Sequence, residues 1–317
     1  MMRRSACRAF FRGFSGFNAN DTMDQNRLHQ EELQAEERDR DAKEVLNSSE
    51  YSLSSKTSCP RSILFVPCSN VKALNKIPKL EADAFILDLE DSVAPSQKDQ
   101  ARDNLIEILN SGVLDGKRLI VRVNPPRENS RHGFVDLDAV GTIWEKVEGL
   151  GIPKTTKHDF QLIENSIHPD HSLWAFFETP GGVLDSNAIL AEGHYQFACM
   201  GLNDFCAEMS IPLSLTSGAT MKNNDHNSSS TPSIPRRWPL HTAMSTVAMA
   251  ARANGVHPVD GVYNDPSDKH GLIAELHEGM LLGFSGKTLI HPNQIEPTND
   301  AFTPSGKEVV WAKKVIH

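Results

Sequence analysis

The chain has 317 residues, 39% hydrophobic and 7% aromatic, enough to bury one large core or two modest ones. A net charge of -9 and a pI near 5.8 argue against a basic face for non-specific nucleic-acid binding, though a local basic pocket for an anion fits. Five cysteines (Cys7, Cys59, Cys68, Cys199 and Cys206) show no paired metal-ligand spacing, so a disulfide framework or zinc site is not expected and a reducing compartment fits. No apolar run approaches the roughly 20 residues needed to span a bilayer.

In chain order, MMRRSACRAFFRGFSGF comes first, with four arginines, no acid, and Phe10, Phe11 and Phe14 able to share a helical face. That is the composition of a mitochondrial transit peptide, with an ordinary disordered terminus as the alternative. From Asn18 to Thr57 the chain turns polar and largely acidic around QEELQAEERDRDAKE. It lacks an apolar stripe and reads as a disordered or loosely helical linker. Residues 1–57 are therefore expected to stand outside one catalytic domain formed by residues 58–317.

From Arg61 on, β-type runs recur with helical segments between most of them: SILFV, AFILDL, RLIVRVN, a weak GIPK, LWAFFE, FACMGL, VDGVY and KTLIH. Eight such runs predict an α/β fold of the (β/α)8 TIM barrel type. The runner-up, a doubly wound sheet, would normally carry a glycine-rich phosphate loop where this chain reads VPCSNVKAL. In a barrel the residues following the runs gather at one mouth: Cys68 to Asn70, Glu90, Asp91, Arg122, Asn124, Lys154, Glu178, Asp204, Tyr263 to Asp265, and His291. Ser210 to Pro235, rich in Ser, Asn and Thr, reads as a long flexible insertion. Pro239 to Ala253 reads as a helix whose Met and Ala face is core, stopped at Asn254-Gly255.

Two runs end abruptly in a carboxylate, LWAFF at Glu178 and FACMGL at Asn203-Asp204, with helical spacing from Val183 to Ala191 between them. Parallel neighbours lie about 4.8 Å apart, so the two acids can share one cation. Mg2+ suits two carboxylates, water and a substrate oxygen. The bland alternative for a strand-end Glu is a cap or a surface charge. Arg122 lies in an otherwise apolar strand and must meet an anion at the mouth, either a substrate or Glu90 or Asp91 on the neighbouring strand end. Lys72 and Lys76, four apart, should share a helix face and can receive phosphates, or be ordinary surface lysines. His291 fits a ligand, an acid or base, or a core histidine, and its spacing favours the last.

LFVPCSN, AFILDLEDSVAPSQKDQAR, RLIVRVNPP, FFETPGGVL, GLNDF, DGVYNDPSD and GFSGKTLIHPNQI, in this order, resemble the citrate lyase beta-subunit-like family of the aldolase/citrate lyase superfamily. It includes malyl-CoA and citramalyl-CoA lyases, and the resemblance runs from about Arg61 to Ile316. It implies a barrel, commonly trimeric, that binds Mg2+ through Glu178 and Asp204, holds the substrate carbonyl with Arg122, and binds acyl-CoA at Lys72, Lys76, Ile290 and His291. The implied activity is reversible cleavage of a short 3-hydroxyacyl-CoA, such as malyl-CoA or citramalyl-CoA, into an acyl-CoA and a 2-oxo acid in the mitochondrial matrix, or otherwise the cytoplasm. A thioesterase outcome and a CoA-independent 2-oxo acid aldolase are the rival chemistries. No nucleic-acid or membrane partner is expected.

The chain departs from that pattern at several places. The family's C-terminal lid carries a catalytic aspartate that enters a neighbouring protomer, whereas this sequence ends at His317, so a binding-competent but catalytically impaired homologue is a further expectation. Cys68 replaces a first-loop glycine and is expected to crowd the thioester or strain the turn. GIPK is short for a fourth strand and threatens closure. The Ser-rich insertion is a further departure, and Phe65 stands where mitochondrial citramalyl-CoA lyases carry a tyrosine.

Overall fold

Eight parallel strands close into one barrel in sequence order: β1 Ser62–Pro67, β2 Ala84–Asp88, β3 Leu119–Arg122, β4 Gly149–Ile152, β5 Ser172–Phe177, β6 Phe197–Met200, β7 His257–Asp260 and β8 Gly286–Leu289, with β8 paired to β1. This computed structural model describes residues 58–127, 131–168, 170–212 and 237–316. The transit-peptide and linker readings, and the insertion from 213 to 235, lie outside the described residues. The chain divides into two units, one of residues 53–303 that holds the barrel and one whose described residues are 304–316.

Both faces of each strand are buried, which is why the runs are apolar almost throughout rather than alternating. The period of two still sorts them. Ile63, Ala84, Ile86, Ile120, Trp174, Phe176, Phe197, Cys199 and Val259 pack together inside the barrel. Their neighbours, such as Leu64, Phe85, Val121, Ala175 and Ala198, pack outward with the helices. Trp174 and Phe197 stack across the interior with ring centroids 3.9 Å apart.

Helices follow the strands: α1 Val71–Leu74, α2 Lys98–Asn110, α3 Gly133–Gly141, α4 Asp159–Ile163, α5 Pro180–Leu184, α6 Ser186–Glu192, α7 Leu202–Glu208, α8 His241–Ala253, α9 Lys269–Leu281 and α10 Ile295–Phe302. The helix expected over Val183 to Ala191 is divided at Asp185 into α5 and α6, and the Thr-Pro-Gly-Gly turn is the start of α5: Thr179 caps it by accepting from the Gly182 N–H. Helix α8 buries the Met and Ala face and stops before Gly255, φ +71. The final helix, α11 Gly306–Ile316, begins with a reciprocal cap between Ser305 and Glu308 and ends in Lys313 and Lys314, which oppose its dipole.

Two strands start two residues earlier than expected. The fourth strand is GLGI rather than GIPK, and the barrel closes. A Cβ on Gly149 would lie 2.2 Å from Ser172 Oγ, and one on Gly151 2.9 Å from the Phe176 ring. Bare backbone in β4 thus makes room for Ser172 and Phe176 of β5, and a short apolar run suffices. The seventh strand is HPVD, and Gly261 to Tyr263 lie beyond it.

Outside the barrel wall a second set of charges is buried. Asp260 accepts from Arg237 at 2.8 and 2.9 Å and from Lys287 at 2.9 Å, while Glu278 accepts from Arg237 Nε at 2.6 Å and meets His241 at 2.7 Å. Asp260 and Lys287 alternate with inward Val259 and Thr288, so both face the helix layer. No helix of the described residues is long and apolar enough to cross a membrane.

Candidate active site

Continuing the inward phase past the interior layer explains the mouth of the barrel. Two residues after Ile86, Ile120 and Phe176 stand Asp88, Arg122 and Glu178, all buried. Arg122 donates from Nε to Asp88 Oδ1 at 2.7 Å and from Nη2 to Asp88 Oδ2 at 2.8 Å, a two-pronged clamp. Its Nη1 is left to Glu90 Oε2 at 3.2 Å and Glu178 Oε1 at 3.4 Å. The guanidinium lies 4.7 Å from the Phe65 ring centroid and 5.7 Å from that of Phe176. Burial works against the Asp88 charge, but Arg122 outweighs it and holds this carboxyl below the usual range.

Glu178 has no such clamp. Burial pushes it up to about 8, with Arg122 and Lys154 opposing and Glu90 adding to the rise. Gly201, the inward residue after β6, is small because Glu178 lies across it: a Cβ there would fall 2.1 Å from Glu178 Cγ. Gly201 also caps α7, which presents Asp204 from its first turn, where the helix dipole favours an acid.

Lys154 completes the cluster. Its Nζ lies 2.6 Å from Asp204 Oδ2, 2.7 Å from Glu90 Oε1 and 3.2 Å from Asp91 Oδ2, and its N–H donates to Glu178 Oε2 at 2.8 Å. Burial works against its charge, yet Asp204 and Glu90 hold it well above the ordinary lysine value. A cavity of about 300 Å3 opens beside these groups, with Asp88, Asp91, Arg122, Glu178, Asn203 and Asp204 on its polar side and Phe65, Phe176, Met200, Leu202, Val262 and Ile290 on its apolar side.

The residues fit a hard divalent cation. Asp88, Glu90, Asp91, Glu178 and Asp204, five carboxylates, are gathered against two directly paired cations, Arg122 and Lys154. The donors are all oxygen, the set Mg2+ prefers. Among the described residues no three His, Cys, Asp or Glu side chains are placed to hold one ion, so a cation here would rest on two carboxylates and on solvent or substrate oxygens.

The expected site residues divide. Glu178, Asp204 and Arg122 come together, and Ile290 lines the same cavity. The expected partner of Arg122 was Glu90 or Asp91; Glu90 does pair with it, but Asp88 is the clamp and Asp91 pairs with Lys154. Lys72 and Lys76 do not share one helix, because α1 ends at Leu74 and Lys76 precedes the separate turn Ile77–Lys79; both are exposed. His291 is not a core histidine: its Nδ1 accepts from the Asn293 N–H at 3.2 Å and caps the turn Pro292–Gln294. Cys68 neither crowds the cavity nor takes a positive φ; it is fully buried in the outer core. Asn124 braces the loop after β2, donating to the Leu89 carbonyl at 2.9 Å. Tyr263 is buried and donates to Asp268 at 2.7 Å, while Asn264 exchanges amide hydrogen bonds with Asn203. Asp88 was missing from the expected set, although its inward phase within AFILD marks it.

The HpcH/HpaI aldolase/citrate lyase family model matches residues 61–292. The (3S)-malyl-CoA thioesterase of Cereibacter sphaeroides (strain ATCC 17025 / ATH 2.4.3) is 37% identical over 257 residues, 81% of each chain. The human mitochondrial citramalyl-CoA lyase is 29% identical over 277 residues, 81% of this chain and 74% of that one. The crystal structure of the protein CitE from Mycobacterium tuberculosis, in complex with magnesium, acetoacetate and coenzyme A, superposes with a TM-score of 0.62 at 26% identity, covering 82% of this chain and 87% of that one. A closed eight-stranded barrel with its acids and Arg122 at one mouth, matched along residues 61–292, belongs to the HpcH/HpaI aldolase/citrate lyase family.

Proposed function

We propose that the chain is a carbon-carbon lyase that reversibly cleaves a short 3-hydroxyacyl-CoA, of the malyl-CoA or citramalyl-CoA type, into an acyl-CoA and a 2-oxo acid. The observation that carries this reading is the convergence of Glu178, Asp204 and Arg122 Nη1 beside one cavity with an apolar wall. Cleavage sends the electrons of the carbon-carbon bond onto the thioester as an enolate, while the hydroxyl loses its proton and becomes a carbonyl; the enolate then takes up a proton at carbon to become the acyl-CoA, so one proton leaves and one returns. Arg122, fixed by Asp88 on Nε and Nη2, meets Glu90 and Glu178 through Nη1 only at 3.2 and 3.4 Å, and this is the nitrogen to turn toward the oxygen where negative charge develops. Glu178 and Asp204 are the residues to hold Mg2+, which when bound acts as a Lewis acid toward substrate oxygens. Of Glu90, Asp91 and His291, only Asp91 lines the cavity, and its side chain is 52% exposed, so it is the carboxylate positioned to exchange a proton there.

For the acyl-CoA, β1 and β8 are neighbours, so Lys72 and Lys76 after β1 and Ile290 and His291 after β8 occupy one sector of the rim. The exposed lysines suit phosphates and Ile290 suits the thioester arm. The coenzyme A and magnesium in the CitE complex and the name of the human relative support both assignments. The acid-free, arginine-rich first residues and that relative's mitochondrial location support import into the matrix, and the family resemblance supports a homotrimer.

The thioesterase relative, at 37% identity, favours a second reading in which water attacks the thioester to give free acid and CoA. Incubation with malyl-CoA or citramalyl-CoA and Mg2+, following thiol release and 2-oxo acid separately, distinguishes them. A lyase gives 2-oxo acid without thiol and a thioesterase gives thiol without 2-oxo acid. Turnover of free hydroxy acids alone would sink both readings in favour of a CoA-independent aldolase.

A further inference from the structure

Lys154 is a charged group of the site to which the proposed reaction gives no role, and it is heavily constrained. It follows β4 with φ 49, in the left-handed region, which a non-glycine residue occupies only where its surroundings over-determine it. Its N–H donates to Glu178, its carbonyl accepts from Arg127, and its ammonium bonds Asp204, Glu90 and Asp91. The same ammonium is 3.9 Å from Glu178 Oε2. One positive charge thus touches both proposed cation ligands and two acids that are not ligands.

We propose that Lys154 is a built-in counter-ion that competes with the divalent cation for Asp204 and Glu178, and that the cation binds by displacing the ammonium onto Glu90 and Asp91. This rests on reading Glu178 and Asp204 as the cation's ligands. Glu90, Glu178 and Asp204 crowd a partly desolvated space; Arg122 reaches only Glu90 and Glu178, and the Lys154 ammonium supplies the positive charge that meets Asp204 as well. An ammonium has three donors, so it can release Asp204 while keeping Glu90 at 2.7 Å and Asp91 at 3.2 Å. The displacement leaves no buried charge unpaired. Its consequence is a cation affinity below what the carboxylates alone would give. A lysine that merely ties the loop after β2 to the loop after β4 predicts the opposite sign, because losing it would loosen the ligands and weaken binding.

The test uses Mn2+ as probe, read from the paramagnetic signal of the free ion, on the full chain as wild type, Lys154→Met, Lys154→Arg and Asp204→Asn. Lys154→Met keeps the length of the side chain and removes its charge. It is expected to bind Mn2+ about tenfold tighter than wild type or better, and its melting temperature to rise more on Mg2+ saturation. Lys154→Arg keeps the charge and should show no such gain. Lys154→Gln, judged by the same criterion, covers the case in which the methionine variant does not fold. Equal or weaker binding by the neutral variants, with binding lost in Asp204→Asn, overturns the counter-ion role alone. Undiminished Mn2+ binding in Asp204→Asn overturns the ligand reading and this proposal with it.

Discussion

Arg122 and Asp88 form a two-pronged pair inside the mouth of the barrel, Nε to Oδ1 at 2.7 Å and Nη2 to Oδ2 at 2.8 Å. The register pairs Asp88 directly with Arg122 across β2 and β3, so the clamp follows from strand pairing. It points the third nitrogen toward Glu90 and Glu178, and this orients the charge for chemistry. Asp88→Ala would leave a buried guanidinium without its main partner, and loss of one member of a buried pair costs about 3–5 kcal/mol. A lower urea midpoint together with a large fall in kcat is expected. Arg122→Lys should also lose most turnover, because a single ammonium cannot span both Asp88 oxygens.

Gly201 tests the position of Glu178 without altering any charge. A methyl in place of its hydrogen meets Glu178 Cγ at 2.1 Å, and the carboxylate must move. Displacements of about 1 Å at a reacting centre cost on the order of 10²-fold in rate. Gly201→Ala should therefore lose about that much activity and weaken Mg2+ binding while its circular dichroism spectrum stays native; unchanged calorimetric Mg2+ affinity would count against Glu178 as a ligand.

The outer network sets acid stability. Burial opposes the Asp260 charge, but Arg237 and Lys287 outweigh it and hold its carboxyl below the usual range. A folded pKa below the unfolded value of about 3.9 means that Asp260 stabilises the fold fully above that pH, and that the contribution is lost as pH falls through the folded value. Asp260→Asn should be less stable than wild type at pH 7 by about 3–5 kcal/mol, and the gap should narrow below about pH 4. Urea midpoints measured across that range check the sign, and a gap that widens in acid would contradict it.

The two exposed lysines after β1 are expected to act on substrate capture alone. Lys72→Ala combined with Lys76→Ala should raise KM for the acyl-CoA severalfold with kcat nearly unchanged. High salt should erase the difference, because exposed charges are screened. Equal KM values for the pair and wild type at low salt would remove the phosphate assignment.

Much of this protein is legible from local pattern. Buried parallel strands must be apolar on both faces and need helices between them, so SILFV, AFILD, LWAFF and FACM announce a barrel, and the carboxylates that interrupt the pattern at Glu178 and Asp204 announce its mouth. The motifs likewise carry the family, because GLNDF needs Gly201 where Glu178 crosses and FFETPGG needs Thr179 to cap α5. What the chain order leaves open is which neighbours share each space. GIPK looks too short for a strand until Phe176 and Ser172 are seen to fill the room left by Gly149 and Gly151. Lys72 and Lys76 share a face only if their helix continues, and it stops at Leu74. Asp88, Lys154 and Asp260 could each be a surface charge by composition. Only the side-by-side packing of neighbouring elements decided their partners, because it brings residues 34, 24 and 23 positions apart within hydrogen-bonding distance: Arg122 to Asp88, Lys154 to Glu178, and Arg237 to Asp260. An ion pair depends on separation in space, which a linear sequence does not carry.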